Sequence, residues 1–154
     1  MRITKYGLEL NENKMPYLIK MESVNIPELT ELNSPILVYD LLNKMYRAKH
    51  LAEEYVWVIG LNSKCKVLGV FELSHGSINY SIIQTREIFV RLCLCGASNF
   101  ILAHNHPSGI ETPSTEDVTV TKKIKGAGEL MSISLTDHII VGDKYFSFKE
   151  NNYI

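Results

Sequence analysis

Apolar and polar positions alternate loosely at the start of the chain, through Ile3, Tyr6, Leu8 and Leu10 and again through Tyr17, Leu18, Ile19 and Met21. With the polar turn Asn11-Glu12-Asn13-Lys14 between them, residues 1–30 are expected to hold two strands. The period changes at Ser34-Pro35, an N-cap serine with proline at the first helical position. Ile36, Leu37, Tyr39, Leu41, Leu42, Met45 and Tyr46 then recur at near-helical spacing, which predicts a helix to about His50. Residues 55–61 form a short, branched apolar run with the character of a central strand. Asn62-Ser63-Lys64 reads as a turn and residues 65–73 as the hairpin partner. A further strand is expected over 77–83. Thr85 is read as the cap of a helix running to about Cys95, with Gly96 as its stop. Phe100-Ile101-Leu102-Ala103 reads as a buried strand. A helix is expected over 114–130, interrupted by Gly126-Ala127-Gly128, and residues 133–135, 137–141 and 145–148 are expected as closing strands. Strands alternating with helices give an α/β sandwich, a mixed sheet flanked by helices.

At 154 residues the chain is expected to form one domain with a sizeable core. A formal charge of −1 gives no global field toward nucleic acid or an anionic membrane. A small dedicated DNA-binding domain is usually plainly basic, so direct nucleic-acid binding is not expected. Cys65, Cys93 and Cys95 are too few and too oddly spaced for a disulfide framework, and Cys93 and Cys95 are expected to be small buried thiols. The N-terminus lacks the apolar stretch of a signal peptide, and no apolar run approaches the ~18 residues that span a bilayer. The expected setting is the cytoplasm.

The chemistry concentrates in residues 104–117, His-Asn-His-Pro-Ser-Gly-Ile-Glu-Thr-Pro-Ser-Thr-Glu-Asp. Two imidazoles and a carboxylate are the protein ligands of a catalytic zinc site, which keeps its fourth position open. In an extended segment, side chains at i and i+2 share a side, so His104 and His106 can converge on one ion. Asp117 has a second reading. Ser114-x-x-Asp117 resembles a capping box, with an acid favoured at the positive end of a helix.

The string His104-x-His106, seven residues, Ser114, two residues, Asp117 resembles the signature of the JAB/JAMM (MPN+) metalloprotease domain. Residues 101–109 together with Asp137-His138-Ile139-Ile140-Val141-Gly142 look like its RadC branch. Thr85-Arg86-Glu87-Ile88-Phe89 is similar to a Pro-Arg-Glu block of that branch, with Thr85 where proline is usual. The resemblance covers the C-terminal three-quarters of the chain. It suggests a RadC-like JAB/JAMM domain over 34–154, preceded by a strand-like extension over 1–33. Full-length RadC proteins carry an N-terminal helix-hairpin-helix, whereas residues 1–30 here read as strands.

The resemblance implies a JAB/MPN (cytidine-deaminase-like) fold and a zinc-dependent hydrolase acting on a peptide or isopeptide bond of a peptide or protein substrate. It implies His104, His106 and Asp117 as zinc ligands and moves Asp117 from capping to ligation. It implies Glu54 as the acid/base, because family members place a glutamate eight residues before a strand-end Asp or Asn, here Asn62. Glu53 and Glu87 are the alternatives. Ser114 takes the role of stabilising the oxyanion. Asp137-His138 either orients a ligand histidine or satisfies a buried strand.

Other classes compete less well. His104-Asn105-His106 is consecutive, whereas HNH nucleases spread these residues over a metal-binding hairpin. A zinc deaminase needs His-x-Glu and Pro-Cys-x-x-Cys, and neither is present. The leading alternative is a non-catalytic RadC-like protein-binding module linked to DNA repair or mobile elements.

Overall fold

The computed structural model describes residues 1–27, 29–75 and 84–154. The strand expected over 77–83 lies outside them. Among the described residues, seven strands and three α-helices follow in order: β1 (Arg2–Leu10), β2 (Pro16–Asn25), α1 (Pro35–Tyr46), β3 (Tyr55–Leu61), β4 (Val67–His75), α2 (Thr85–Leu94), β5 (Asn99–Asn105), α3 (Thr115–Met131), β6 (Ser134–Val141) and β7 (Tyr145–Ser147). They form one mixed sheet in the order β2-β1-β4-β3-β5-β6-β7. The β1–β4 and β5–β6 pairs are parallel and the others antiparallel.

The central strands β3 and β5 are buried on both faces, which is why they read as continuous apolar runs rather than alternating ones. On one face Val38, Leu41 and Leu42 of α1 pack with Trp57, Ile59, Leu61, Ile101 and Ile139. On the other, Ile88 and Leu92 of α2 and Ile124 of α3 pack with Val58, Phe71, Phe100 and Leu102. Each fully buried side chain of this size contributes about 1.5–3 kcal/mol. The sheet is thereby fixed between helical layers, and the ends of β3, β5 and β6 become a rigid rim. Among the described residues, no helix is long and apolar enough to cross a membrane.

Several local expectations change. The first helix stops at Tyr46, where Arg47 turns left-handed (φ 54°), and Ala48–His50 is a separate 3-10 turn. Gln84, not Thr85, is the N-cap of α2, and Thr85 is its first helical residue. The Gly126-Ala127-Gly128 stretch does not interrupt α3. Gly128 is packed against the turn that follows α3, where an added Cβ would lie 2.6 Å from the Ile133 carbonyl oxygen. The two strands expected over 133–141 are one, β6. The break in its pattern at Thr136 is a bulge, since Phe100 pairs with Leu135 and Ile101 with Asp137. The cysteines are not buried as a group: Cys93 is exposed, while Cys65 and Cys95 are half-buried. Burial still pushes the Cys95 thiol up, against hydrogen bonds from nearby backbone.

Candidate metal centre

Four elements meet at one end of the sheet. β5 delivers His104 to the rim, and the ladder to β6 continues one residue further, with His106 N donating to Val141 O at 2.9 Å. Antiparallel pairing sets Val56 opposite His104, so Glu54, just before β3, lies beside the histidines. The loop after His106 turns at Gly109 (φ +79°) and leads to Ser114, the N-cap of α3. This loop rests on the one after β6. Asp143 N donates to Gly109 O at 2.8 Å, and a Cβ on Gly142 would stand 2.4 Å from that oxygen. Only glycine at 142 lets the two backbones touch, and that contact holds the His106 segment in place.

His104, Asp117 and Glu54 are buried. His104 Nε2 is 3.0 Å from His106 Nε2 and 3.0 Å from Asp117 Oδ1. His106 Nε2 is 3.6 Å from Asp117 Oδ2. On the other side, Glu54 Oε1 is 3.7 Å from His104 Nε2, and Glu54, His104 and His106 present ligand atoms within 4.8 Å of one another. The Nδ1 atoms of both rings are engaged by the protein. His106 Nδ1 donates to Ile110 O at 2.7 Å, and His104 Nδ1 lies 2.9 Å from His138 Nε2. Burial disfavours the His106 cation, but hydrogen bonds to Asp117 and Ile110 and the charges of Asp117 and Glu54 outweigh it, so its pKa is raised.

Capping and site formation coexist at Asp117. Its Oδ2 accepts from Ser114 N and from Ser114 Oγ, each at 2.7 Å, and Asp117 N donates to Ser114 Oγ at 3.1 Å. Its Oδ1 is left on the histidine side. Ser114 therefore directs its hydroxyl proton at Asp117.

The three glutamates separate cleanly. Glu54 is buried against the histidines; the Glu53 side chain is exposed. Glu87 pairs with Arg91 at 3.0 Å along α2. The turn carrying Glu54 is clamped by Asn105, whose Nδ2 donates to Glu53 O at 2.9 Å and whose Oδ1 accepts from Tyr55 N at 2.7 Å. The strand pleat also divides Asp137 from His138. Asp137 accepts from Ser147 Oγ at 2.6 Å and from the backbone of His138 and Lys149, tying down the C-terminal turn. His138 faces His104, and its ring stacks on Phe148 with centroids 4.6 Å apart. Burial, and next the neighbouring His104, push its pKa well below the usual imidazole value.

Asn105 and Thr121 were not foreseen as part of the site. Thr121 was legible in principle, one helical turn beyond Asp117 and on the same face.

Glu54, His104 and His106 could hold a metal ion, and imidazole nitrogens with carboxylate oxygens are ligands of the kind zinc takes. Ligand atoms held at ~2.0–2.1 Å on a tetrahedral ion stand roughly 3.3 Å apart. His104 Nε2 lies 3.0 Å from His106 Nε2 and 3.0 Å from Asp117 Oδ1, close to that separation, while the 3.6 Å contact of His106 is to the other Asp117 oxygen, Oδ2. The occupied Nδ1 atoms leave both Nε2 atoms facing the centre, the second-atom anchoring usual for metal-binding histidine.

The RadC-like JAB domain profile matches residues 32–153. The chain belongs to the RadC-like JAB domain family. The mixed sheet and flanking helices agree with its JAB/MPN-type fold. This RadC-like chain is 37% identical over 136 residues to a UPF0758 protein of Pelobacter propionicus, covering 88% of this chain and 58% of that one. It is 43% identical over 123 residues to a UPF0758 protein of Caldanaerobacter subterraneus, covering 79% and 52%. A UPF0758 protein of Thermotoga maritima is 40% identical over 147 residues, covering 95% and 62%. The chain thus spans between 52% and 62% of the length of these curated relatives.

Proposed function

We propose that this RadC-like domain is a zinc-dependent hydrolase of the JAMM type that cleaves a peptide or isopeptide bond. The observation that carries the reading is the meeting of His104 Nε2 and His106 Nε2 with the Asp117 carboxylate, one oxygen toward each ring, and a buried carboxylate, Glu54, 3.7 Å from His104. His104, His106 and Asp117 would hold the ion. When bound, zinc supplies Lewis-acid polarisation of a carbonyl and activation of a water molecule. Glu54, shielded from solvent, takes a proton from the attacking water and delivers it to the leaving amine. Ser114 fixes Asp117 in the resting site, and its hydroxyl is the candidate donor to the carbonyl oxygen as charge develops there. The substrate is a peptide or protein, and the near-neutral charge gives no support for a nucleic-acid substrate. Free cysteines, one of them exposed, support a reducing, cytoplasmic setting.

The test starts with zinc content per chain by elemental mass spectrometry, on protein purified without chelator or nickel, beside His106→Ala. One equivalent in the wild type, lost in the variant, is expected. Peptide and isopeptide libraries follow, with Glu54→Gln as the control for the acid/base. Turnover that survives Glu54→Gln unchanged removes Glu54 from the mechanism. A zinc-loaded protein that cleaves nothing in either library favours the protein-binding module instead.

A further inference from the structure

We propose that Thr121 is a positioning residue that fixes, through His138, which nitrogen of His104 carries the proton. The inference rests on the reading of His104 as a metal ligand and adds how its ligating form is selected. Thr121 Oγ1 lies 2.6 Å from the Asp117 carbonyl oxygen, a contact in which only the hydroxyl can donate. A hydroxyl has one proton, so Thr121 can only accept from its other close neighbour, His138 Nδ1, at 2.6 Å. His138 Nδ1 therefore carries a proton. The ring is buried and stacked on Phe148, where a charge would be stripped of solvent, so it is neutral and its Nε2 holds a lone pair. His104 Nδ1, 2.9 Å from that lone pair, must then be the donor. With Nδ1 protonated, the neutral His104 ring presents a bare Nε2 toward His106 and Asp117. The other histidine reaches the same state by a shorter route, through the Ile110 carbonyl.

One hydroxyl thus joins three elements. It closes onto the helix turn that carries Asp117, orders the β6 histidine, and through it aims the β5 ligand. Removing it frees His138 Nδ1 from its acceptor. The alternative tautomer of His138 then sets two N–H groups against each other at the His104 contact, and His104 is driven to protonate Nε2, the atom the ion needs. Losses of about 10–100-fold in metal affinity are typical when such an outer partner is removed.

The experiment compares wild type, Thr121→Val and Thr121→Ser by zinc affinity from chelator competition and by nitrogen-15 NMR of labelled histidine in mildly alkaline, zinc-free buffer. Wild type is expected to show His104 protonated on Nδ1. Thr121→Val is expected to lose about 10–100-fold in zinc affinity and to shift the His104 proton to Nε2, while Thr121→Ser restores both. Full zinc affinity in Thr121→Val with an unchanged His104 signal overturns the proposal. So does a wild-type spectrum with His104 protonated on Nε2, a result that stands even if Thr121→Val fails to fold. If the wild type takes up no zinc yet shows the Nδ1 proton and its loss in Thr121→Val, the relay stands and the metal reading falls.

Discussion

Gly126 and Gly128 sit two residues apart in α3 and should respond oppositely to the same substitution. Each costs the helix about 0.5–1 kcal/mol relative to alanine through backbone entropy. At Gly126 an added Cβ meets nothing within 4 Å, so Gly126→Ala keeps the whole gain. At Gly128 the Cβ would lie 2.6 Å from the Ile133 carbonyl oxygen, against an ordinary contact beginning at 3.4 Å. Ile133 lies in the turn that ends α3, its amide donating to Gly128 O at 3.0 Å, so that turn must open by about 0.8 Å, and the obstacle is backbone, which cannot rotate away. Overpacking of this kind typically costs about 1–3 kcal/mol. Set against the propensity gain, Gly128→Ala should lose roughly 1–2 kcal/mol. For a chain of this length 1 kcal/mol moves the Tm by about 2–4 °C. Gly126→Ala is therefore expected to melt about 1–4 °C higher than wild type and Gly128→Ala about 2–8 °C lower. The assay is thermal unfolding by circular dichroism with a chelator present, since a bound ion would stabilise the native state by mass action. A Gly128→Ala protein as stable as Gly126→Ala would refute the argued contact between α3 and the chain entering β6.

Asn105→Asp removes the donor to Glu53 O and sets a carboxylate against that carbonyl. Zinc content should persist while turnover on a library substrate drops about a hundredfold, and unchanged kcat/KM would show that the clamp does not position Glu54. Gly142→Ala drives a Cβ into Gly109 O, so zinc affinity measured by chelator competition should weaken at least tenfold, on the scale of losing an outer-sphere support; an intact affinity would mean the two loops can part without moving His106. Asp137 should make stability depend on pH. Burial, outweighing its hydrogen bonds from Ser147, Lys149 and His138, raises its folded pKa above the ordinary 3.8. Its contribution is then fully present below pH 3.8 and lost as pH rises through the raised folded value. Urea denaturation of wild type and Asp137→Asn across that window should show the variant gaining relative to wild type as pH rises. A difference that stays flat or moves the other way would contradict the assigned sign.

Much of the site was legible because its spacing is short-range. His104, His106, Ser114 and Asp117 lie within fourteen residues on one strand end, one loop and one helix start, so local geometry nearly dictates their meeting. The resemblance to JAMM domains supplied what local geometry could not, a remote carboxylate. Spacing alone could not choose between Glu53 and Glu54, which the turn before β3 leaves exposed and buried respectively. Asn105 and Thr121 went unread because each acts on a segment far along the chain or through a third residue, even though Thr121 stands one helical turn beyond Asp117.

Local apolar patterning marked most elements of the sheet, β1 and β2 by loose alternation and β3 and β5 by short continuous runs, and it marked α1 by a near-helical repeat, because such patterns are a property of the local chain. It misread Gly126-Ala127-Gly128, Thr136 and Thr85 because glycine, a bulge and a cap acquire their meaning from what lies across the contact. Of the three residues grouped as possible metal ligands, His104 and His106 were read as such from the sequence, whereas Glu54 was read as the acid/base. Only the tertiary structure decided that Asp137 faces the C-terminal turn while His138 faces His104, and that His106 rests on a crossing of two glycines. Those outcomes depend on pairing register and on backbones packed within van der Waals contact, distances fixed by the whole core rather than by any one segment.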